Sequence, residues 1–532
     1  MRVTNFMTHN HSLNNIHRNM RHLQRLYEQT TSTKVISRPS QDPLIASRSL
    51  RFRTRLAGVE QHLMNVESGH AWMNVTESAI FNLVRGEDSL HSRILDEVTR
   101  ALNDPNPQSA KLVMMTNLEN LKRQIGLEMN QTMGGRFVFS GWRTGEPPVL
   151  NRPQRDGDYP VYHVITQTFN IRDIEETRFF QRLNPTDMPN HGTVTILKLP
   201  YRHNPNVPSA GMGPTLSFTA SHTLPGTVLP IPNAPPLGIF ESDGVTPLTV
   251  IDSGGIPIPV DILPRTMADP DVFVPGPAGH EIFYVAETGE LILGEYVAAQ
   301  FHDGIQIRYQ VSNLQEGDLN PWVYFDTWSS VPRVDSSVPG HTPPAPPPFN
   351  HHWPMMPQPI YYQFSHGSPV QVNAEARNVF TAQMYADLRR MVDFARSLTP
   401  PDRREIEYYY RHTHNKEGHE LNFAVDKRIS DENNIIRYGM HNRLNNLLRL
   451  LNTQHTLDAT REHTKLGNRM SRVEMFEIRL EQDEGNYTRL MSENEDVDMT
   501  WAIIQQSIAE AAFQGALRVI ANNVQLSLVH FV

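Results

Sequence analysis

The sequence contains no cysteine among its 532 residues. This absence excludes structural disulfides, zinc–thiolate centres and cysteine nucleophiles. It suits a protein that crosses compartments unfolded, where free thiols would become cross-linked. Many cytosolic proteins lack cysteine as well, so both interpretations stay open.

The sequence also lacks any apolar run near the roughly 20 residues that span a bilayer. The first residues, Met1–Met7, have neither the apolar core nor the small-residue cleavage site of a secretory signal peptide. We therefore expect no membrane insertion, and export, if it occurs, without a cleaved signal. The 48 basic and 57 acidic residues give a net charge of -9, which favours solubility and offers no basic surface to nucleic acid.

Proline is nearly absent from both ends of the chain. Of the 40 prolines, only Pro39 and Pro43 precede residue 105, and none follows Pro401. Because each proline inside a helix costs about 3 kcal/mol, this distribution predicts helical ends around a non-helical middle. The predicted fold class is α+β, with a long antiparallel coiled-coil-like helical rod built from both chain ends and a β-rich insert between them.

The first helical arm is predicted over residues 44–103. Asp42 is the expected N-cap and Pro43 occupies the first turn. An unbroken helix of this length would extend about 90 Å. A second helix is predicted from Pro107 to about Met133, stopped by Gly134-Gly135. Apolar residues follow a 3–4 spacing along the first arm at Ile45, Phe52, Leu56, Val59, Leu63, Val66, Met73, Ile80, Val84, Ile94 and Val98.

The middle of the chain, residues 136–375, has β-strand patterns. Residues 305–311 alternate strictly and place Ile305, Ile307, Tyr309 and Val311 on one face of a strand. The proline-rich residues 331–360 are expected to be extended. We predict one or two β-rich subdomains exposed at the surface.

Helical patterns return in the last part of the chain, with one long helix over 432–490 and a last amphipathic segment over 498–530. The predicted organisation has five parts: an N-terminal assembly segment and turn (1–43), an N-terminal helical rod (44–135), the insert (136–375), a C-terminal helical rod (376–490) and a C-terminal assembly segment (491–532).

Both terminal segments carry apolar residues that such a segment cannot bury alone. We predict that they pair with each other and with neighbouring subunits, so that ordering and assembly are one event. The alternative is packing within a monomer. The predicted subunit-interface residues are Val3, Phe6, Met7, Leu13, Ile16, Met20, Leu23, Ile504, Ile508, Ala511, Phe513, Val519, Val524 and Leu528.

Several stretches resemble hook-associated protein 3 of the bacterial flagellum, a family related to flagellin. Residues 34–43 resemble the turn after that family's first helix, where a Pro-Ser-Asp-Asp-Pro run stands and Gln41 here replaces one Asp. Residues 135–144 are similar to the Gly-Arg-Tyr-Leu-Phe-Ala-Gly-Tyr-Lys-Thr run of the family. Residues 467–474 and 492–499 resemble its Gly-Ala-Arg-Leu-Asn-Arg-Leu-Glu and Ser-x-x-Glu-Asp-x-Asp-Met stretches. The opening Met1-Arg2-Val3 also looks like this family and unlike ordinary flagellin.

The resemblance covers about residues 1–150 and 430–532, in the family's order. It implies a structural subunit of a tubular junction between flagellar hook and filament, located outside the cell. The implied partners are copies of the chain in a ring, a neighbouring hook-associated protein, flagellin, an export chaperone and the flagellar type III export apparatus. The rival interpretations are a filament-forming flagellin and a surface carbohydrate-binding protein acting through the insert.

Candidate chemical sites are few. His412, His414 and His419 with Glu420 form the best metal candidate, but their spacing fits no known zinc signature. No nucleophile elbow, phosphate-binding loop or zinc-protease helix is present in the sequence. We therefore predict a protein that is not an enzyme, with no catalytic residue, no metal and no cofactor.

Overall fold

The structure is a computed structural model of the full chain. It describes residues 5–85, 89–103, 107–156, 159–181, 187–202, 215–218, 221–224, 227–230, 236–251, 254–274, 279–330, 351–365, 367–397 and 401–529.

The helices are long at the two ends of the chain and short in the middle. They are α1 (Asn5–Ser32), α2 (Pro43–Val84), α3 (Leu90–Asn103), α4 (Pro107–Met129), α5 (Glu295–Gln300), α6 (Pro321–Tyr324), α7 (Ala376–Val379), α8 (Ala382–Ser397), α9 (Arg403–Thr413), α10 (Gly418–Leu450), α11 (Thr456–Glu495) and α12 (Met499–Val529).

The strands all lie between α4 and α7. They are β1 (Thr132–Met133), β2 (Arg136–Phe137), β3 (Arg155–Asp156), β4 (Tyr159–Pro160), β5 (Tyr162–Phe169), β6 (Glu175–Gln181), β7 (Asn190–Lys198), β8 (Thr215–Ser217), β9 (Ser221–Leu224), β10 (Thr227–Pro230), β11 (Gly238–Phe240), β12 (Thr249–Ile251), β13 (Pro257–Pro259), β14 (Asp261–Arg265), β15 (Glu281–Val285), β16 (Glu290–Leu293), β17 (Ile305–Ser312), β18 (Asp326–Ser330), β19 (His351–Trp353), β20 (Tyr361–Gln363) and β21 (Pro369–Gln371). The predicted α+β class, with helical ends and a β-rich middle, is confirmed.

The chain divides into two compact units. The first contains residues 1–69, 362–370 and 471–532, and the second contains residues 70–361 and 371–470. Helices α2 and α11 each contribute residues to both units.

The predicted unbroken helix over 44–103 is wrong. Its start is as expected, because the Asp42 carboxylate accepts the N–H groups of Leu44 at 2.9 Å and Ile45 at 3.2 Å. However, α2 ends at Val84 and a new helix begins at Leu90. Ser89 caps this new helix, since its hydroxyl accepts the N–H of Ser92 at 3.2 Å. The listed apolar positions leave their longest gap here, from Val84 to Ile94, and the helix breaks within this gap.

The predicted end of the second helix is also wrong. Helix α4 ends at Met129, and residues 132–137 form a tight hairpin of β1 and β2. Gly134 and Gly135 have φ values of 57° and 77° and form its two-residue turn. Positive φ at both central positions is the geometry of a type I′ turn, which glycine adopts at little cost. The glycine pair is thus a hairpin turn and not a helix stop.

Two larger sheets form the β-rich part of the second unit. One has the order β11-β17-β5-β18-β19, with β8 also paired to β17. The predicted alternation along β17 is confirmed, because Ile305, Ile307, Tyr309 and Val311 are all buried. The other sheet has the order β14-β15-β16-β7-β6 and covers an apolar core that includes Phe179 stacked on Phe273.

A buried ionic network joins this second sheet to helices α8 and α10. Lys198 of β7 lies 2.5 Å from Asp387 and also contacts Glu175, while Arg443 lies 2.6 Å from Glu290. Burial opposes the charge of Glu175, but Arg390 and Lys198 outweigh it and lower the pKa of this carboxyl to about 2. Leaving one of these charges without its partner would be costly, so the network fixes where the helices attach to the sheet.

The predicted long C-terminal helix over 432–490 is confirmed and extends further. Helix α10 passes through a single π-helical turn, Leu451–His455, directly into α11. Apolar residues spaced along this helix are buried or half-buried: Leu444, Leu447, Leu451, Leu466, Met470, Val473 and Leu480.

Candidate assembly surface

The two terminal helices pair antiparallel in the first unit. Thr30 lies opposite Gln506, with 3.1 Å between Oγ1 and Oε1, and the Tyr27 hydroxyl donates to Glu510. Because the position on α1 falls as the position on α12 rises, the helices run in opposite directions. The N-terminal and C-terminal segments therefore meet, as the sequence predicted.

A short two-stranded backbone contact lies next to this helix pair, between residues 33–35 and 495–497. The N–H of Val35 donates to the carbonyl of Glu495 at 2.7 Å, and the N–H of Val497 donates to the carbonyl of Thr33 at 3.0 Å. Asp498 then caps α12, accepting the N–H groups of Thr500 and Trp501. Backbone bonding thus ties the turn after α1 to the turn before α12.

Glu495 lies within this two-stranded contact, and its side chain is buried. Its carboxylate pairs with Arg53 of α2 at 2.7 Å, lies 3.5 Å from Lys34, and accepts the Ser49 hydroxyl. The hydrogen bond from Arg53 is the main reason that the pKa of Glu495 falls to about 2. One carboxylate therefore links α2 to the turn that carries both terminal helices.

Helix α12 carries apolar residues on two faces rather than one. The small Ala502 and Ala509 are buried, seven positions apart, in the helix that packs on α1. Large apolar side chains lie on the other side, where Ile504 is 52% exposed and Ile508 is 57% exposed. We call this exposed row the apolar stripe: Trp501, Ile504, Ile508, Ala511 and Val519. Its 3–4 spacing is that of a seam between packed helices.

The predicted interface residues on α1 divide between exposed and half-buried positions. Met7, Leu13 and Met20 are exposed, whereas Ile16 and Leu23 are half-buried. Val3 lies outside the described residues. Phe6 lies in α1, but its side chain is not described. Leu26 is almost fully buried in this helix.

On α12, the predicted residues Ile504, Ile508, Ala511 and Val519 are exposed, and Phe513 is half-buried. Val524 and Leu528 lie in the helix, but their side chains are not described. The structure thus brings the two predicted sets onto one pair of helices, and their role in subunit contacts stays a prediction.

The sequence analysis missed four exposed apolar residues of α12, namely Met499, Trp501, Ile503 and Leu517. Trp501 precedes Ile504 by three positions and Ile508 by seven, so continuing the 3–4 spacing towards the N-terminus would have found it. Ile503 and Leu517 lie off this spacing, and the sequence pattern gave no signal for them.

Two histidines of the metal candidate pack against tyrosine rings. The ring of His412 stacks on Tyr408 at 4.0 Å between centroids, and His414 lies against Tyr409 and Tyr410. Among the described residues, no three His, Asp or Glu side chains converge as metal ligands. No described helix is both long enough and apolar enough to cross a membrane.

The N-terminal region resembles that of a known protein family. Residues 3–144 match the family model of the bacterial flagellin N-terminal helical region. The N-terminal region of this chain is therefore similar to that of bacterial flagellins. The match covers α1 to α4 and the β1–β2 hairpin, which is the sequence that builds the N-terminal side of the assembly surface.

A similar curated protein is flagellar hook-associated protein 3 of Salmonella typhimurium, 23% identical over 149 residues. The alignment covers 28% of this chain, and the chain spans about half of that relative, 46%. Two crystal structures of Xanthomonas campestris FlgL are also similar. One has a TM-score of 0.31 at 12% identity, covering 82% of this chain and 98% of that one; the other has 0.26 at 10%, covering 79% and 94%.

Proposed function

We propose that this protein is a structural subunit of the bacterial flagellum, joining hook to filament through its terminal helices. The observation that carries the proposal is the apolar stripe on α12, in a chain whose N-terminal region is that of flagellins. The similarity to a hook-associated protein and the family-like motifs at 34–43 and 492–499 favour the junction over the filament body.

The apolar stripe supports assembly on physical grounds. Apolar surface that is removed from water contributes about 25 cal/mol per Å². Contiguous apolar rows of this kind mark contact surfaces more often than free ones. The α1–α12 pair fills only one face of α12, so the opposite face is available to a neighbouring subunit.

In this proposal, the five predicted segments occupy successive layers of a tube. Segments 1–43 and 491–532 form the inner contacts of a tube, and segments 44–135 and 376–490 form the next layer. The insert, 136–375, faces solvent. One of its two sheets has an apolar core of its own and is joined to α8 and α10 by the buried ionic network, and none of these contacts involves the terminal helices.

The partners follow from this role. They are further copies of the chain in a ring, an adjacent hook-associated protein and flagellin. An export chaperone covers the apolar C-terminal segment before export through the flagellar type III apparatus, because an exposed apolar helix aggregates in the cytosol. The protein works outside the cell as a structural element and catalyses no reaction.

A filament-forming flagellin is the second candidate, since the matching family model is that of flagellin itself. Copy number separates the two roles. Quantitative mass spectrometry of isolated flagella should find on the order of a single ring of this chain for each flagellum, far below the abundant filament protein. Abundance equal to that of the filament protein would favour the flagellin role.

Gene deletion tests the junction role directly. Electron microscopy of the deletion strain should show hooks without filaments, and flagellin should appear in the medium because nothing retains it on the hook. Restoring the gene should restore filaments. Normal filaments in the deletion strain would contradict the proposal.

A further inference from the structure

Helix α2 presents a row of arginines to solvent near its start. Arg48, Arg51 and Arg55 are all exposed, and their spacing of three and four positions places them on one side of the helix. We call this row the arginine stripe. Leu44, 70% exposed, precedes it on the same side.

Helix α11 presents an acidic row of similar spacing. Glu474 and Glu481 are exposed and Glu484 is half-buried, seven and then three positions apart on one side of the helix. We call this row the glutamate stripe. The exposed apolar side chains of Met475 and Ile478 lie beside it.

The two stripes belong to oppositely charged parts of the first unit. Residues 1–69 contain ten Lys and Arg against four Asp and Glu, a net charge of +6. Residues 471–532 contain four against ten, a net charge of -6. Within the part of the chain that the structure describes, no member of either stripe forms an ion pair. Each stripe therefore offers its charge outward.

The arginine stripe on α2 and the glutamate stripe on α11 are offset from each other along the direction of the helix axes. Arg53, beside the arginine stripe, pairs with Glu495 at the end of α11. Further along, Gly69 of α2 and Phe476 of α11 both lie against Phe364. The helices are thus antiparallel, and the glutamate stripe lies nearer Phe364. The centres of the two stripes are roughly 15 residues apart along the helices, which is about 23 Å at 1.5 Å rise per residue, so side chains of the two stripes do not meet within one chain.

We infer that the arginine stripe of one subunit docks on the glutamate stripe of a second copy beside it, displaced along the helix axis. Because the two surfaces differ, this contact is head-to-tail, and a repeated head-to-tail contact builds a ring or a helix rather than a closed pair. The inference rests on the proposed function and specifies its lateral contact. The apolar stripe supplies adhesion, and the charged stripes set which neighbour docks and at what stagger.

A charge swap tests the contact in the deletion strain. The first variant carries Arg48→Glu, Arg51→Glu and Arg55→Glu; the second carries Glu474→Arg, Glu481→Arg and Glu484→Arg; the third carries all six. Each single-stripe variant should lower the number of filaments per cell roughly tenfold, because like charges then face each other. The six-fold variant should return to near the wild-type number, since the swapped stripes again attract.

The matched control is Arg403→Glu, Arg404→Glu and Arg411→Glu in α9, three exposed arginines of the second unit. It should keep the wild-type filament number. Circular dichroism and thermal unfolding of each purified variant should match wild type, which separates lost contacts from lost folding. Filament loss that the six-fold variant does not rescue, or no loss in either single-stripe variant, would overturn the inference.

Cross-linking gives a readout that does not depend on filaments, and the cysteine-free chain suits it. Arg51→Cys and Glu481→Cys in one chain should give a ladder of multimers when isolated flagella are oxidised, and each single cysteine should give monomers only. A dimer from one single-cysteine variant would show a symmetric contact and overturn the inference. If the chain is present in flagella but forms no ladder, the inference fails alone; if it is absent from flagella, the proposed function fails.

Discussion

The Glu495 carboxylate links helix α2 to the turns that carry the two terminal helices. Of the acidic residues in segment 492–499, Glu495 is the one that forms an ion pair with α2. The backbone N–H groups of Val35 and Val497 form the hydrogen bonds between the two turns. The Glu495 pKa of about 2 records how strongly Arg53 and Lys34 favour the ionised form. The turn between α1 and α2 is therefore fixed by charge as well as by backbone pairing.

Replacing Glu495 by Gln keeps the shape and removes this charge. We expect the free energy of local opening of the two turns to fall by about 1–2 kcal/mol. This value is at the low end for a charged pair because Arg53 is largely exposed and solvent screens its charge. Amide exchange at Val35 and Val497 should then speed up by roughly 5- to 30-fold at neutral pH. Because the folded-state pKa lies below the ordinary value of 4.5, the difference from wild type should shrink as pH falls from about 4.5 towards 2.

Glu493→Gln is the matched control, since Glu493 is exposed and pairs only along its own helix with Arg489 at 3.3 Å. It should leave exchange at both amides unchanged. Equal effects of the two substitutions would show that Glu495 has no special part in the turn.

At the scale of elements, the sequence predicted which parts are helical but not where the helices break. Proline distribution located the helical ends and the β-rich middle because its effect on helices is local and large. The break after Val84 falls in the gap of the apolar spacing between Val84 and Ile94, but no proline marks it. A glycine pair fits both a helix stop and a hairpin turn, so the sequence did not predict the hairpin at Gly134. The order of strands in the two sheets depends on contacts between residues far apart in sequence, which periodicity does not contain.

The sequence likewise predicted part of the candidate assembly surface but not all of it. Periodicity found Ile504 and Ile508 and suggested that both ends pair. It did not distinguish the face of α12 that meets α1 from the face that stays exposed, because alanines and isoleucines both count as apolar. Side-chain size makes the difference: Ala502 and Ala509 allow close approach, and the larger residues remain outside.

Charging the apolar stripe should therefore separate assembly from folding. Ile504→Glu with Ile508→Glu places two carboxylates on a face that the monomer leaves in water, so circular dichroism should be unchanged. In flagella the same carboxylates would be buried without partners, at a cost of several kcal/mol, and filaments should be lost. Phe423→Glu with Leu457→Glu, at exposed apolar positions of the second unit, should leave filaments intact. Normal filaments in the stripe variant would contradict an interface at this face.

At the scale of the molecule, the two compact units differ in how they are stabilised. The second unit has two sheets, a packed aromatic core and a buried ionic network. Among the side chains that the structure describes in the first unit, few large ones of α1 and α12 are buried, and Leu26 is the largest nearly buried one on α1. Helices with so few buried contacts open most easily. We therefore assign folding to the second unit and assembly to the first.

Hydrogen exchange of the full-length chain tests this assignment most directly. In dilute solution, where sedimentation shows a monomer, amides of α1 and α12 should exchange much faster than those of α10. In isolated flagella, both terminal helices should become protected to a similar extent as α10. If α1 and α12 were already as protected as α10 in the dilute monomer, their surface would need no neighbour, and the account would be contradicted.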